Sequence, residues 1–148
     1  MKKYLYLLVG LLGVGLVACS DNDDDWYEIS YGQLPPKAQV FLETYWAGYA
    51  VSSMEMDGHG AGTTYEVTLT NGTEFEFDST GLWVEIDAPM GMALPTGFIH
   101  PGIINFVSLN FPDQEINEIS REYYGYEVEL TNEVELNFNT NGNIIYNY

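Results

Sequence analysis

Glu74, Glu76 and Asp78 alternate with Phe75 and Phe77, and Glu127, Glu129, Glu133 and Glu135 take up the same pattern later in the chain. Carboxylates two apart on a strand share one face, so these residues form ladders of like charge. Such crowding suits a divalent cation or a basic partner, with Glu74, Glu76, Asp78, Glu133 and Glu135 as the candidate oxygens. The same alternation equally serves a solvated sheet face that keeps a secreted chain soluble. Asp21, Asp23 and Asp25 open like a calcium loop, but an EF-hand needs Gly at its sixth position and Glu at its twelfth. Trp26 and Gly32 stand there instead, so that motif is excluded.

Few residues are equipped for catalysis. The imidazoles are His59, in the glycine-rich loop Asp57-Gly58-His59-Gly60, and His100, before Pro101 at a helix start. A flexible loop cannot preorganise a base, and His100 is expected at the surface. Serine-nucleophile, HExxH, CxxC and phosphate-loop signatures are all missing. The pattern therefore predicts no enzyme and no cofactor. The 12 tyrosines and three tryptophans bring aromatics to 15%. Any of these left outside the core would suit a protein contact, with Trp83, Tyr123, Tyr124 and Tyr146 as candidates.

The chain opens MKKYLYLLVGLLGVGLVACS. Lys2 and Lys3 precede an uncharged run from Tyr4 to Val17, shorter than the roughly 20 residues a spanning helix needs. Residues 1–18 therefore read as a secretory signal. Leu16-Val17-Ala18-Cys19 resembles the lipobox of bacterial lipoproteins, which implies lipidation of Cys19, the single cysteine, and a membrane contact through that lipid alone. The acidic run after Cys19 resembles the export signal of surface-exposed Bacteroidetes lipoproteins. That implies a cell-envelope protein anchored in the outer membrane and facing outward, with a periplasm-facing orientation as the alternative. Beyond residue 18, two cations, Lys37 and Arg121, stand against 22 acids, a net charge near −20. A chain this acidic repels phosphate backbones, so nucleic acid is excluded as a partner.

The ladders need strands to carry them. Tyr65, Val67 and Leu69 face one side and Glu66, Thr68 and Thr70 the other, and Asn71-Gly72 is a strong hairpin signal. Ala38, Phe41, Leu42 and Tyr45 fall on one face of a helix after Leu34-Pro35-Pro36. Ile103, Phe106 and Val107 do the same after Pro101, and Phe111-Pro112 ends that helix. YEVTLTNGTEFEFDSTG from Tyr65 returns as YEVELTNEVELNFNTNG from Tyr126, with Glu133 in the place of Gly72. The pattern predicts an α+β chain of two tandem repeats, each one helix on a roughly four-stranded antiparallel meander. The expected divisions are 19–33, lipidated Cys and acidic tether; 34–87, first repeat; 88–93, linker; and 94–148, second repeat. In the last strand of each copy the apolar face is ambiguous: Leu82, Val84 and Ile86 leave Trp83 outside.

LPPKAQVFLETYW with YEVTLTNGTEFEFDSTGLW, echoed by LPTGFIHPGIINFVSLNF and YEVELTNEVELNFNTNG, resembles the PepSY-like, β-lactamase-inhibitor-like proteins of Bacteroidetes envelopes. The resemblance implies a non-catalytic extracytoplasmic module that binds another protein. Two alternatives stay open: an inhibitor of a secreted or envelope protease or hydrolase, and a cation-binding, calcium for instance, or structural envelope protein.

Overall fold

Period-two alternation needs a sheet with one covered face, and nine antiparallel strands supply it. The computed structural model describes residues 26–58 and 60–146. The expected signal segment, Cys19, the acidic run after it and His59 lie outside the described residues. The strands are β1 (Tyr27–Glu28), β2 (Val51–Asp57), β3 (Thr64–Leu69), β4 (Glu74–Phe77), β5 (Trp83–Asp87), β6 (Ile116–Glu122), β7 (Gly125–Leu130), β8 (Glu135–Asn139) and β9 (Ile144–Ile145). Their spatial order is their chain order. Helices α1 (Pro36–Tyr45) and α2 (Pro101–Asn110) each start on a proline, whose fixed φ suits a first turn.

The apolar face is where sequence alternation put it. Val67, Leu69, Phe75, Phe77, Ile86, Ile119, Val128, Leu130 and Phe138 are buried. α1 lies over the first strands, with Phe41 6.0 Å from Phe77 and Trp46, at its C-cap, 4.7 Å from Phe75 between ring centroids. α2 covers the later strands, with Phe106 5.5 Å from Phe138. Phe98, just before α2, packs on Phe41, Trp46 and Trp83, so the segment entering the second helix closes over the first. Ile86 and Ile119 pair across β5 and β6, both fully buried, and make the sheet continuous at its middle. Burying each such side chain stabilises the fold by about 1.5–3 kcal/mol.

Three differences from the sequence expectation have physical causes. Residues 27–33 are not tether: β1 pairs with β2, Ile29 is buried, and a 3-10 turn runs from Tyr31 to Gln33. The short alternation there is too brief to register as a strand. Second, Trp83 is inside. Glu76 pairs with Glu85 but Phe77 with Trp83, so β5 holds one extra residue, a β-bulge that reverses its alternation. Trp83 and Ile86 thereby share the covered face, and Leu82, 44% exposed, stays at the surface beside α1. Third, the 88–93 linker is held in the fold. Asn117, at a bulge in β6, is buried and donates from Nδ2 to the carbonyls of Ala88 (2.9 Å), Pro89 (3.1 Å) and Met92 (2.8 Å).

Candidate functional site

With both helices on one face, the other presents its carboxylates to solvent in rows that cross the strands. One row runs Glu28, Glu55, Glu66, Glu76, Glu85, Ser120, Glu127, Asn137 through successive pairings. A second runs Thr68, Glu74, Asp87, Glu118, Glu129, Glu135. Directly paired residues have Cβ atoms about 4.5–5.5 Å apart, so neighbouring carboxylates repel. The second row ends in a cavity of about 550 Å³ between the β3–β4 turn, the 88–90 segment and the β7–β8 turn. Glu74, Asp87, Glu118, Glu129, Glu133 and Glu135 line it. A shallower depression of about 120 Å³ lies among Glu66, Glu74, Glu76, Glu85 and Asp87.

Crowding changes the acidity of these groups. Burial, then the charges of Asp87, Glu85, Glu129 and Glu127, pushes Glu118 up to about 7. Burial and the neighbouring Glu74 and Glu129 raise Asp87. Burial raises Glu85, with Glu76 and Asp87 adding to it, and burial raises Glu76. Glu66 rises through burial and then Glu76, Glu55 and Glu74. Glu118 therefore holds a proton nearer neutral pH than a free carboxylate does, and a positive charge brought to the face would favour its release.

The cation oxygens expected from sequence separate into two groups. Glu74, Glu133 and Glu135 meet at the larger cavity, and Glu76 lines the smaller one. Asp78 is elsewhere, because its carboxylate builds the β4–β5 turn. It accepts from Thr80 Oγ1 (2.7 Å), Thr80 N (2.8 Å) and Leu82 N (3.1 Å). Burial pushes Asp78 up, but these bonds and one from the Gly81 amide outweigh it and hold the group below its ordinary value. Asp87 and Glu118 were missed, and Glu129 was placed in the second ladder but not among the candidate oxygens. Their signal was the pairing of β5 with β6, which joins the two ladders and is not visible within either. Among the described residues, no three acidic, His or Cys side chains converge to hold one metal ion. The arrangement offers charge strung along strands, suited to a surface with several positive groups.

The expected contact aromatics also divide. Tyr123 is 96% exposed, at the β6–β7 turn, and Tyr146 is 64% exposed near the C-terminal edge. Tyr124 is committed to the sheet: its hydroxyl donates to Asn137 Oδ1 at 2.6 Å and lies 3.4 Å from Glu127 Oε2. Burial, then the charges of Glu127 and Glu122, pushes it up to about 12. Trp83, expected outside, is buried beneath the guanidinium of Arg121, 4.0 Å from its ring centroid. His100, expected as a surface residue, is the half-buried N-cap of α2, its Nδ1 accepting from the Gly102 amide at 3.1 Å.

Two helices on one face of a single antiparallel sheet, the other face open and acidic, define an α+β protein built around an uncovered sheet surface. The chain belongs to the β-lactamase-inhibitor-like, PepSY-like family, whose sequence profile matches residues 63–146. Solved structures agree. A Bacteroides thetaiotaomicron protein is 33% identical, with a TM-score of 0.76 over 82% of this chain and 94% of its own. Two Bacteroides vulgatus proteins have TM-scores of 0.77 at 33% and 27% identity, covering 83% and 82% of this chain and 96% and 98% of theirs. All three are described as putative periplasmic proteins, the first as calcium-regulated. No curated protein matches the chain.

Proposed function

We propose that this chain is a non-catalytic, extracytoplasmic binding module whose open acidic sheet face meets a positively charged surface of another protein. The observation that carries this reading is the uncovered row Glu74, Asp87, Glu118, Glu129, Glu135, opening into a cavity of about 550 Å³. Like charges so placed repel in the free protein, and a cationic partner relieves that repulsion. The periplasmic neighbours support an envelope location, the lipobox-like ending at Cys19 supports a lipid anchor, and the acidic run after it supports an outward face on the outer membrane, with a periplasm-facing orientation as the alternative. The family description favours one special case, inhibition of an envelope or secreted hydrolase. The description of a neighbour as calcium-regulated favours another, an acidic face whose binding is tuned by calcium.

Two tandem copies remain our reading of the architecture. Its support is the matching element lengths, 10 residues in α1 and α2, seven in β2 and β6, six in β3 and β7.

Cross-linking of the lipidated protein in its own envelope fraction tests the function. A partner should be enriched over a lipidated control, weakened by salt, and lost in the triple variant Glu76→Gln, Glu118→Gln, Glu129→Gln. Undiminished capture by that variant would remove the acidic face from the proposal. Cys19→Ala should free the protein from membranes, and persistent membrane association would contradict the anchor.

A further inference from the structure

The β6–β7 turn carries Tyr123, the most exposed aromatic ring among the described residues, out into solvent. That ring meets Tyr124 edge to face, 5.1 Å between centroids and 84° between planes. Tyr124 is fixed in turn, because its hydroxyl donates to Asn137 Oδ1 at 2.6 Å and lies 3.4 Å from Glu127 Oε2. Gly125 makes that reach possible: at φ +147° it closes onto β8, where any Cβ would run into the Phe138 carbonyl. Asn137 and Glu127 belong to the first acidic row, so the two rings form a corner at the end of the open face. Glu122, the residue before Tyr123, acts at the same place. Its charge joins that of Glu127 in raising Tyr124, and reaches Glu85 of the same row. Arg121 turns to the other face of the sheet, its guanidinium over Trp83. The corresponding β2–β3 connection is a glycine-rich 3-10 turn at Gly60–Gly62 with no tyrosine, so the corner belongs to one half alone.

We propose that this corner takes the guanidinium of an arginine on the partner protein, stacked on the Tyr123 ring and hydrogen-bonded to Glu122 and Glu127. This rests on the reading that the acidic face meets a positively charged protein surface, and it names the contact that gives that meeting specificity. Charge selects a cation. Two carboxylates beside an aromatic face repel phosphate and carboxylate ligands, and the ring quadrupole attracts a positive group laid over it. Shape selects arginine over lysine, because a planar guanidinium stacks on a ring while its N–H fork pairs with carboxylates, and it is less hydrated than an ammonium. The chain makes the same match on its other face, where Arg121 lies 4.0 Å from the Trp83 centroid and 5.9 Å from that of Tyr126. Position selects a protein over a free cation. A hairpin tip leaves a small ligand wet on most sides, whereas an arginine delivered by a docked surface brings its own cover.

The test is an amide chemical-shift titration of the full lipidated chain, in neutral detergent micelles, with acetyl-GRG-amide and its counterpart acetyl-GKG-amide. The arginine probe should give saturable shifts at Tyr123, Tyr124 and Gly125, and the lysine probe should bind more weakly. Tyr123→Ala should weaken the arginine probe about fivefold and Glu122→Gln about threefold, while Tyr123→Trp should keep or tighten it. Both positions lie exposed at a turn, so the melting temperature of each variant should match the parent and show that folding is intact. The proposal is overturned if the arginine probe leaves these signals unmoved at tens of millimolar, if the lysine probe saturates them as tightly, or if Tyr123→Ala binds like the parent. Equal saturation by phosphocholine would overturn it in favour of a lipid headgroup. Cross-linking in the envelope fraction separates this corner from the reading beneath it. Partner capture that Tyr123→Ala leaves undiminished, but that the Glu76, Glu118 and Glu129 triple variant loses, rejects the corner and keeps the acidic face. Saturation by the arginine probe with no partner enriched keeps the corner and rejects that reading.

Discussion

Glu133 is the sole non-glycine with positive φ among the described residues, at 64°. It occupies the turn position that Gly72 fills in the earlier hairpin at φ 87°. Both turns close alike, Gly72 N to Leu69 O at 2.9 Å and Glu133 N to Leu130 O at 2.8 Å, so the glutamate holds the glycine conformation at a steric cost. Glu133→Gly should therefore raise stability by about 1 kcal/mol in denaturant unfolding, while removing one carboxylate from the cavity rim. Unchanged or lower stability would mean that the side chain makes up the cost elsewhere. Glu118 gives a pH dependence. Its folded value, about 7, lies above the ordinary carboxylate range, so between about 4.5 and 7 the folded state keeps a proton that the unfolded chain has lost. That contribution is fully present below the lower limit and disappears as pH rises through the upper one. The melting temperature should fall between about pH 5 and pH 8 at constant ionic strength, and Glu118→Gln should flatten the decline and stabilise the protein at the alkaline end by on the order of 1 kcal/mol. A parent curve rising across that interval would refute the assignment.

At the scale of elements, the bulges decide what each strand presents. The β6 bulge turns Asn117 into the fold, where one amide group serves three carbonyls of the segment joining the two halves. Asn117→Ala should cost about 1–3 kcal/mol by leaving buried carbonyls without a donor, and hydrogen exchange should quicken first in residues 88–94. Helices, hairpins and the covered face of β3, β4, β7 and β8 were legible because each rests on local pattern: proline before a 3.6-residue period, Asn-Gly between alternating runs. The phase of β5 was not, since one inserted residue reverses every later side chain and leaves no compositional mark. Nor was the acidic site as a whole. Glu74 and Glu135 were visible as members of separate ladders, but Asp87 and Glu118 joined them only through the β5–β6 pairing, a long-range contact that alternation within a strand does not encode. Tyr124 is engaged within the sheet through Asn137 of β8, a side-chain hydrogen bond across two strands that alternation alone does not encode.

For the whole molecule, a net charge of −18, with 11 of the 22 acidic side chains in the two rows of the open face, makes stability sensitive to ions. Raising sodium chloride from about 10 mM to about 0.5 M should increase the melting temperature by screening the rows. Calcium compared at matched ionic strength separates screening from binding: a further rise at millimolar calcium supports the calcium-tuned reading, and coincident curves discard it. The sheet's strict succession from β1 to β9 has a different consequence, one of timing. Strands that follow one another in the chain are neighbours in the sheet, and apart from β1–β2 and β5–β6, each of which waits for an intervening helix, every pairing joins segments a short turn apart. Proteins whose contacts are local in sequence fold quickly. A polypeptide that crosses a membrane unfolded, N-terminus first, can lay down such a sheet strand by strand in chain order as it emerges, keeping the interval in which its apolar strands are exposed to neighbours short.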